Sequence, residues 1–278
     1  MARIKYRSIE VKEKRRSLAK RMAFIVGVLI IFIVIGIIFL LRMESIQIRE
    51  TNIEGTNIIN KEEIQNVVNE SLAGNYLWII PKSNTFLYST KNLNKTLTEE
   101  FPGIYTLDVS RQGFRKISIK ISERKPEALW CEGENEGEIP ECYFVDSVGV
   151  VFAKAPFFSG NVYFMYRGEL DNDSPLGAQI FPSKDFSVFQ AFVKQTTSKL
   201  GVSIVGAELK KGGDFDLILS SGVHILLNRS IPYDDIYNNM ESVLKSKEFS
   251  ATTTLSSLDY IDMRFGNKIF YKAKTVPK

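Results

Sequence analysis

The chain has 278 residues, of which 44% are hydrophobic, 24% charged and 12% aromatic. That is about two domains' worth of ordinary globular composition, which excludes a disordered or collagen-like chain. Its net charge of +4 is unevenly spread: residues 1–22 hold nine Lys/Arg against two Asp/Glu, and the remainder 27 against 30, so the body is mildly acidic and does not seek nucleic acid.

The basic segment, residues 1–22, runs into Ala23–Leu41, nineteen residues without a charge. At ~1.5 Å per residue they reach roughly 28 Å, close to the hydrocarbon thickness of a bilayer. A cleaved signal peptide would have a shorter apolar core followed by small residues; Leu40, Leu41, Arg42 and Met43 stand there instead. Residues 23–42 are therefore expected to form an uncleaved transmembrane helix. The positive-inside rule places the basic tail in the cytoplasm, facing anionic lipid headgroups, and residues 43–278 outside the membrane.

Past the helix, Ser45–Glu50 alternates as a strand does, and Thr51–Thr56 reads as a turn-rich break. Asn60, with Glu63 three residues on, has the spacing of a capping box. The helix it opens puts Ile64, Val67, Val68 and Leu72 on one face and meets Gly74. A second helix covers Thr90–Glu100, with Leu93, Leu97 and Phe101 four apart and Pro102 ending it. Strands follow at Ile104–Arg111 and Lys116–Glu123. The expectation is one three-stranded sheet with both helices on one face.

Residues 124–273 read as a second, β-rich domain. Strands are expected at Leu129–Cys131 and Cys142–Val145, then a turn at Asp146–Gly149 and a return strand at Gly149–Ala153. Asp171–Pro182 reads as loop and Asp185–Leu200 as a helix. A β-meander follows at Val202–Leu209, Phe215–Ser220 and Val223–Asn228. A helix starts after Pro232, and the chain closes with Asp259–Phe265, a Gly266-Asn267 turn and Lys268–Lys272. Lys274–Lys278 is a short tail without structure. The fold class is thus α+β behind one transmembrane helix.

Chemistry-bearing residues are few. Two cysteines and one histidine leave little for a His/Cys zinc centre or a Ser-His-Asp triad. His224 sits in VHILL, with Val223, Ile225 and Leu227 on the opposite face, and reads as structural or solvent-facing. The pairs Asp214/Asp216 and Asp234/Asp235 would suit glycoside hydrolysis only if placed across a cleft; beside turns they read as solvated. Matches to Asn-x-Ser/Thr at Asn69, Asn94, Asn172 and Asn228 would mark glycosylation only in a eukaryotic secreted protein. Cys131 and Cys142 bracket ten residues with Glu132, Glu134, Glu136, Glu138 and Glu141. On the outer side of the membrane a disulfide is expected between them. Two buried free thiols and a Cys-plus-Glu metal site are the alternatives.

Several local patterns resemble the FtsQ/DivIB family of bacterial cell-division proteins. Ile53-Glu54-Gly55 resembles the "V-x-G" of that family's POTRA module. Phe101-Pro102-Gly103-Ile104 with Asp108-Val109-Ser110-Arg111 resembles its "P-x-I…V-x-R". Glu123–Trp130 (ERKPEALW) is similar to the "E-R-x-P-x-A-x-W" junction, and Asp146–Phe152 to the "D-x-x-G-x-x-F" turn. Tyr260–Phe265 (YIDMRF) is similar to the closing "Y-V-D-L-R-Y". The two cysteines and the acidic loop between them depart from the family.

The resemblance implies a β-α-α-β-β POTRA domain at 43–123 and an FtsQ-type β domain at 124–273. It further implies a non-enzymatic scaffold at the division septum, without cofactor, metal, nucleic acid or small-molecule substrate. Such a scaffold binds small bitopic coiled-coil proteins, FtsB/DivIC-like and FtsL-like, and helps control septal peptidoglycan synthesis. The family's partner adds a strand at the sheet edge near the end of the chain. The matching residues here are Arg264, Phe265, Ile269, Phe270 and Tyr271, with Phe265, Asn267, Ile269 and Tyr271 on one side if pairing is regular and Arg264 available to an acidic partner residue. A membrane-tethered cell-wall hydrolase and a POTRA-type transport or chaperone module are the alternatives.

Overall fold

The structure is a computed structural model and describes residues 2–132, 140–168, 170, 174–246, 255–266 and 268–274, with the backbone alone for 2–17 and 211. Asn172, Asn267, Glu134, Glu136, Glu138 and residues 275–278, for which expectations were formed above, lie outside that set. The protein is a mixed α+β chain with one long N-terminal helix, α1 (Ala2–Leu41), and a large sheet. Within α1, Leu18–Leu41 is long and apolar enough to cross a membrane, and none of it is buried against the rest of the chain. The chain divides into two compact units, residues 1–100 with 106–122, and residues 101–105 with 123–278.

The first unit contains β1 (Glu50–Glu54), α2 (Lys61–Leu72), a hairpin of β2 (Asn75–Tyr76) and β3 (Ile80–Pro81), then α3 (Thr90–Glu100), β4 (Ile104–Gln112) and β5 (Lys116–Glu123). Its sheet has the order β1-β5-β4, with β1 parallel to β5 from Glu50 opposite Lys116 to Glu54 opposite Lys120. The first strand begins at Glu50, five residues later than the alternation at Ser45 suggests. Residues 44–46 form a 3-10 turn instead, and the backbone of 46–49 is bonded elsewhere: Ile48 N–H to the Ser83 carbonyl (2.8 Å) and Arg49 N–H to that of Arg115 (2.9 Å). Gly55 ends the strand at φ +89°, where a Cβ would collide with the Ile121 carbonyl oxygen. Asn60 caps α2 by accepting the Glu62 N–H (2.9 Å). Ile64 and Val68, and Leu93 and Leu97, form the buried faces of α2 and α3, which pack on each other.

The β2–β3 hairpin went unassigned in the sequence. Its turn is closed by Ile79 N–H donating to the Tyr76 carbonyl (3.0 Å). Both central residues, Leu77 (φ 47°) and Trp78 (φ 66°), adopt the left-handed region that a type I′ turn requires and that Asn and Gly usually supply. For bulky residues this costs on the order of 1–3 kcal/mol each.

Among the described residues of the second unit, nine strands form one sheet in the order β14-β13-β12-β11-β10-β9-β6-β7-β8. They are β6 (Ala128–Cys131), β7 (Cys142–Val145), β8 (Val151–Lys154), β9 (Phe164–Gly168), β10 (Ile204–Leu209), β11 (Asp214–Leu219), β12 (His224–Asn228), β13 (Leu258–Phe265) and β14 (Lys268–Ala273). The meander β10-β11-β12 is antiparallel. Parallel neighbours β9/β10 and β12/β13 need crossovers, and α4 (Ser183–Leu200) and α5 (Tyr233–Leu244) lie in those connections. Strand β9, unassigned in the sequence, joins the halves by pairing in parallel with both β6 and β10. Under α4 and α5 lies an aromatic core. Phe189 contacts Phe215, Tyr166 and Phe181, and Phe192 stacks on Tyr233 at 4.9 Å between centroids. Such ring pairs add to the large apolar area they bury.

Candidate interaction surface

Strand β14 is an edge of the nine-stranded sheet; β13 is its neighbour on one side, and no strand lies on the other among the described residues. An edge strand leaves alternate N–H and C=O groups unpaired, which makes it a template for another strand. The pairing runs Leu258 opposite Ala273, Ile261 opposite Tyr271, Asp262 opposite Phe270 and Phe265 opposite Lys268, with register shifts at Leu258/Tyr260 and Asp262/Phe265. Helix α5 supports the connection, since Asn239 Nδ2 donates to the Gly266 carbonyl (3.0 Å).

The second register shift rearranges the faces expected from regular alternation. Phe265 does not share a side with Ile269. It meets Phe270 edge-on at 5.5 Å between centroids, while Ile269 turns to the core. A bulge inserts a residue into the alternation, so every side chain beyond it changes face. Phe265, Phe270 and Tyr271 are each more than half exposed. Charges bracket this apolar run: Lys268 is exposed, and Lys272 Nζ lies 3.0 Å from Asp259 Oδ2, an ion pair that raises the lysine pKa.

Arg264 is held within the chain. Its Nε and Nη2 donate to Asp262 Oδ1 (2.9 Å) and Oδ2 (2.7 Å), a bidentate fork, and its Nη1 donates to Asp214 Oδ2 (2.9 Å). The guanidinium holds the Asp262 carboxyl below the usual carboxylate range. Asp214 is also lowered, first by the Asn228 amide (2.5 Å) and then by Arg264. Both carboxylates in turn raise the arginine. The arrangement ties β11, β12 and β13 together beside the β13–β14 bulge, so Arg264 fixes the shape of the edge.

On the same face, further along the sheet, Asp216 is buried and accepts from Lys210 Nζ at 2.5 Å, with His224 Nδ1 3.8 Å away. Glu208 stands opposite Asp216 in the ladder. Ligand atoms of Glu208, Asp216 and His224 all lie within 4.8 Å of one another, a grouping the sequence hid because its members come from three strands. Lys210 is the cation on Asp216 here, and it offsets the repulsion of two facing carboxylates. His224 points away from the core that Val223, Ile225 and Leu227 fill. Asp214 is only partly exposed and Asp216 is buried, so neither is simply solvated as its place beside a turn suggested: each is paired with a cation, Arg264 and Lys210, on one face of the sheet, and Asp234 and Asp235 occupy the first turn of α5.

Cys131 and Cys142 form a disulfide between β6 and β7, where they are directly opposite with Cα atoms 4.1 Å apart. Two motifs singled out in the sequence also meet in the second unit, toward the other end of the β6–β7 ladder. Arg124 Nη1 pairs with Asp146 Oδ2, and Arg124 Nε donates to the Pro102 carbonyl (2.9 Å). Asp146 Oδ1 accepts the N–H groups of Val148 (3.0 Å) and Val150 (2.9 Å). The ERKP and DSVG segments are therefore parts of one structural joint.

No family model matches the chain, and no curated protein sequence matches it.

Proposed function

We propose that this protein is a single-pass, non-enzymatic scaffold of the bacterial division machinery, of the FtsQ/DivIB kind. In this reading residues 23–42, within the apolar segment Leu18–Leu41, span the membrane, the basic tail is cytoplasmic and residues 43–278 are extracytoplasmic, with residues 43–123 a POTRA module and the assembly at the septum. The positive-inside rule supports the orientation. The β1, α2, α3, β4, β5 order with sheet order β1-β5-β4 supports the POTRA assignment.

The observation that carries the reading is β14, an edge strand whose uncharged run Ile269-Phe270-Tyr271 has two exposed aromatic residues and no covering strand among the described residues. Strand addition there would use main-chain hydrogen bonds for affinity, and Phe265 and Phe270 for side-chain selection. The partners proposed are the FtsB/DivIC-like and FtsL-like proteins of the same cell. Arg264 is a positioning residue in this scheme.

The test is capture of the FtsB/DivIC-like extracytoplasmic segment by the full chain in nanodiscs. Ile269→Pro removes an edge donor and should weaken capture at least tenfold, ~1.4 kcal/mol, as losing a backbone hydrogen bond or more implies. Because Ile269 also packs on the core, folding is checked by circular dichroism. Phe270→Ser, an exposed position, provides a second variant. Folded variants that capture the segment as wild type does would sink the docking edge.

A further inference from the structure

The strained hairpin of the first unit has no role in the scheme above, and its position gives it one. We infer that the Leu77-Trp78 turn inserts into the headgroup–acyl boundary of the phospholipid bilayer that holds α1, as a second point of membrane contact. The inference rests on the reading of α1 as a membrane anchor.

Three observations meet here. First, Trp78 is 93% and Leu77 86% exposed, among the most exposed large apolar side chains of the described residues. Both sit at positive φ, where Asn or Gly would be cheaper and more soluble. Backbone strain kept in a turn calls for a use of the side chains it displays.

Second, the hairpin is tied to the end of α1. Asn84 Nδ2 donates to the carbonyl of Leu41, the last residue of α1, at 2.8 Å. Thr85 N–H donates to the Ile46 carbonyl (2.9 Å), and β3 itself lies against α1. At ~3.3 Å per residue, the two residues between Trp78 and the middle of β3 span only roughly 7 Å. That matches the ~5–7 Å depth of one headgroup layer, the difference between ~30 Å of hydrocarbon and ~40–45 Å overall.

Third, the chemistry fits an interface. Tryptophan and tyrosine, with an apolar body and a polar handle, collect at headgroup level, and Tyr76 precedes the turn. The same end of the unit shows Phe86 and Phe114, both more than half exposed and 5.7 Å apart between centroids. They are placed there by residues 46–49, which bond to Ser83 and Thr85 on one side and to Arg115 on the other. A soluble protein partner would account for an apolar patch, but not for its attachment to the last turn of a 24-residue apolar helix segment.

The chain has two tryptophans, and Trp130 is buried, so Trp78 is the exposed reporter. The full-length chain is reconstituted in phosphatidylcholine/phosphatidylglycerol vesicles, plain or with lipids brominated near the headgroup end of the acyl chain. Emission of the Trp78→Phe variant is subtracted from that of wild type. Shallow bromine should quench at least about half of the Trp78 signal, as expected for a side chain in the aromatic belt, and aqueous iodide should quench it weakly. If the chain floats with the vesicles but Trp78 is quenched by iodide and untouched by bromine, the inference is overturned and the anchor stands. Shielding from both quenchers would assign the turn to a protein contact and also overturn it. A chain that fails to float after an alkaline wash removes the anchor reading, and the inference with it.

Discussion

Replacing Asp146 by alanine tests whether the Arg124–Asp146 pair holds the second unit together. The Asp146 side chain is 2% exposed and that of Arg124 14%. Removing the carboxylate leaves a guanidinium largely buried with, among the described residues, the Pro102 carbonyl (2.9 Å) and a cation–π contact over Tyr105 (5.6 Å). An uncompensated buried charge of this kind costs about 3–5 kcal/mol. The Val148 and Val150 N–H groups also lose their acceptor, but the loop they belong to reaches water, so the total expected is about 4 kcal/mol. For a unit of this size 1 kcal/mol moves the melting temperature by roughly 2–4 °C, which gives a fall of about 8–16 °C. Trp130 fluorescence in a Trp78→Phe background reports on this unit alone. Arg124→Met combined with Asp146→Ala removes both charges and should recover about 2 kcal/mol relative to additivity. A fall under about 2 °C, or strict additivity of the two single changes, would refute the role given to the pair.

Four other outcomes are expected. Mass spectrometry of the unreduced protein should find no alkylatable thiol, and Cys131→Ser with Cys142→Ser should lower stability by about 3 kcal/mol, the chain-entropy worth of a 12-residue loop. Leu77→Asn with Trp78→Gly should relieve the left-handed strain of both residues and stabilise the first unit by about 2–6 kcal/mol in urea unfolding of residues 44–278 expressed without the anchor, and should abolish lipid contact of the turn in the full-length chain. Gly206→Ala should destabilise the second unit by about 1–3 kcal/mol, since its Cβ would lie 2.6 Å from the Met165 carbonyl oxygen of β9. Arg264→Met should cost stability at neutral pH. Asp262 and Asp214 have folded pKa values below their unfolded values, so their contribution is present above about pH 4 and is lost as pH falls through the depressed values. The gap between variant and wild type in urea midpoint should therefore close on acidification below about pH 4; a gap independent of pH would contradict the clamp.

Much of the second unit was legible because its strands and helices have clean periods. The meander β10-β11-β12 lies within two residues of the stretches read from alternation, and α4 and α5 follow their apolar faces. What escaped notice did so for physical reasons. Phe164–Gly168 is aromatic and short, without alternation, because a strand paired on both sides at the centre of a sheet buries what it can on either face. The hairpin at 75–81 carries none of the Asn-Gly or Asp-Gly signals that mark such turns. The first strand was set too early because Ile46 and Ile48 alternate as a strand would, while their backbone is bonded to 83–85. At the candidate surface the aromatic residues could be named, but the bulge that groups Phe265 with Phe270 could not. The Arg264 clamp and the Glu208, Asp216 and His224 grouping depend on strand neighbours that local sequence does not show.

The division role itself is tested most directly by where the protein goes. A fluorescent protein fused to residue 1, on the basic tail, is imaged in growing cells that carry the fusion in place of the native chain. Enrichment at midcell is expected, appearing before constriction and lost when Ile269→Pro or Phe270→Ser removes partner binding without unfolding the chain. Even signal around the whole cell perimeter throughout division would contradict the scaffold assignment.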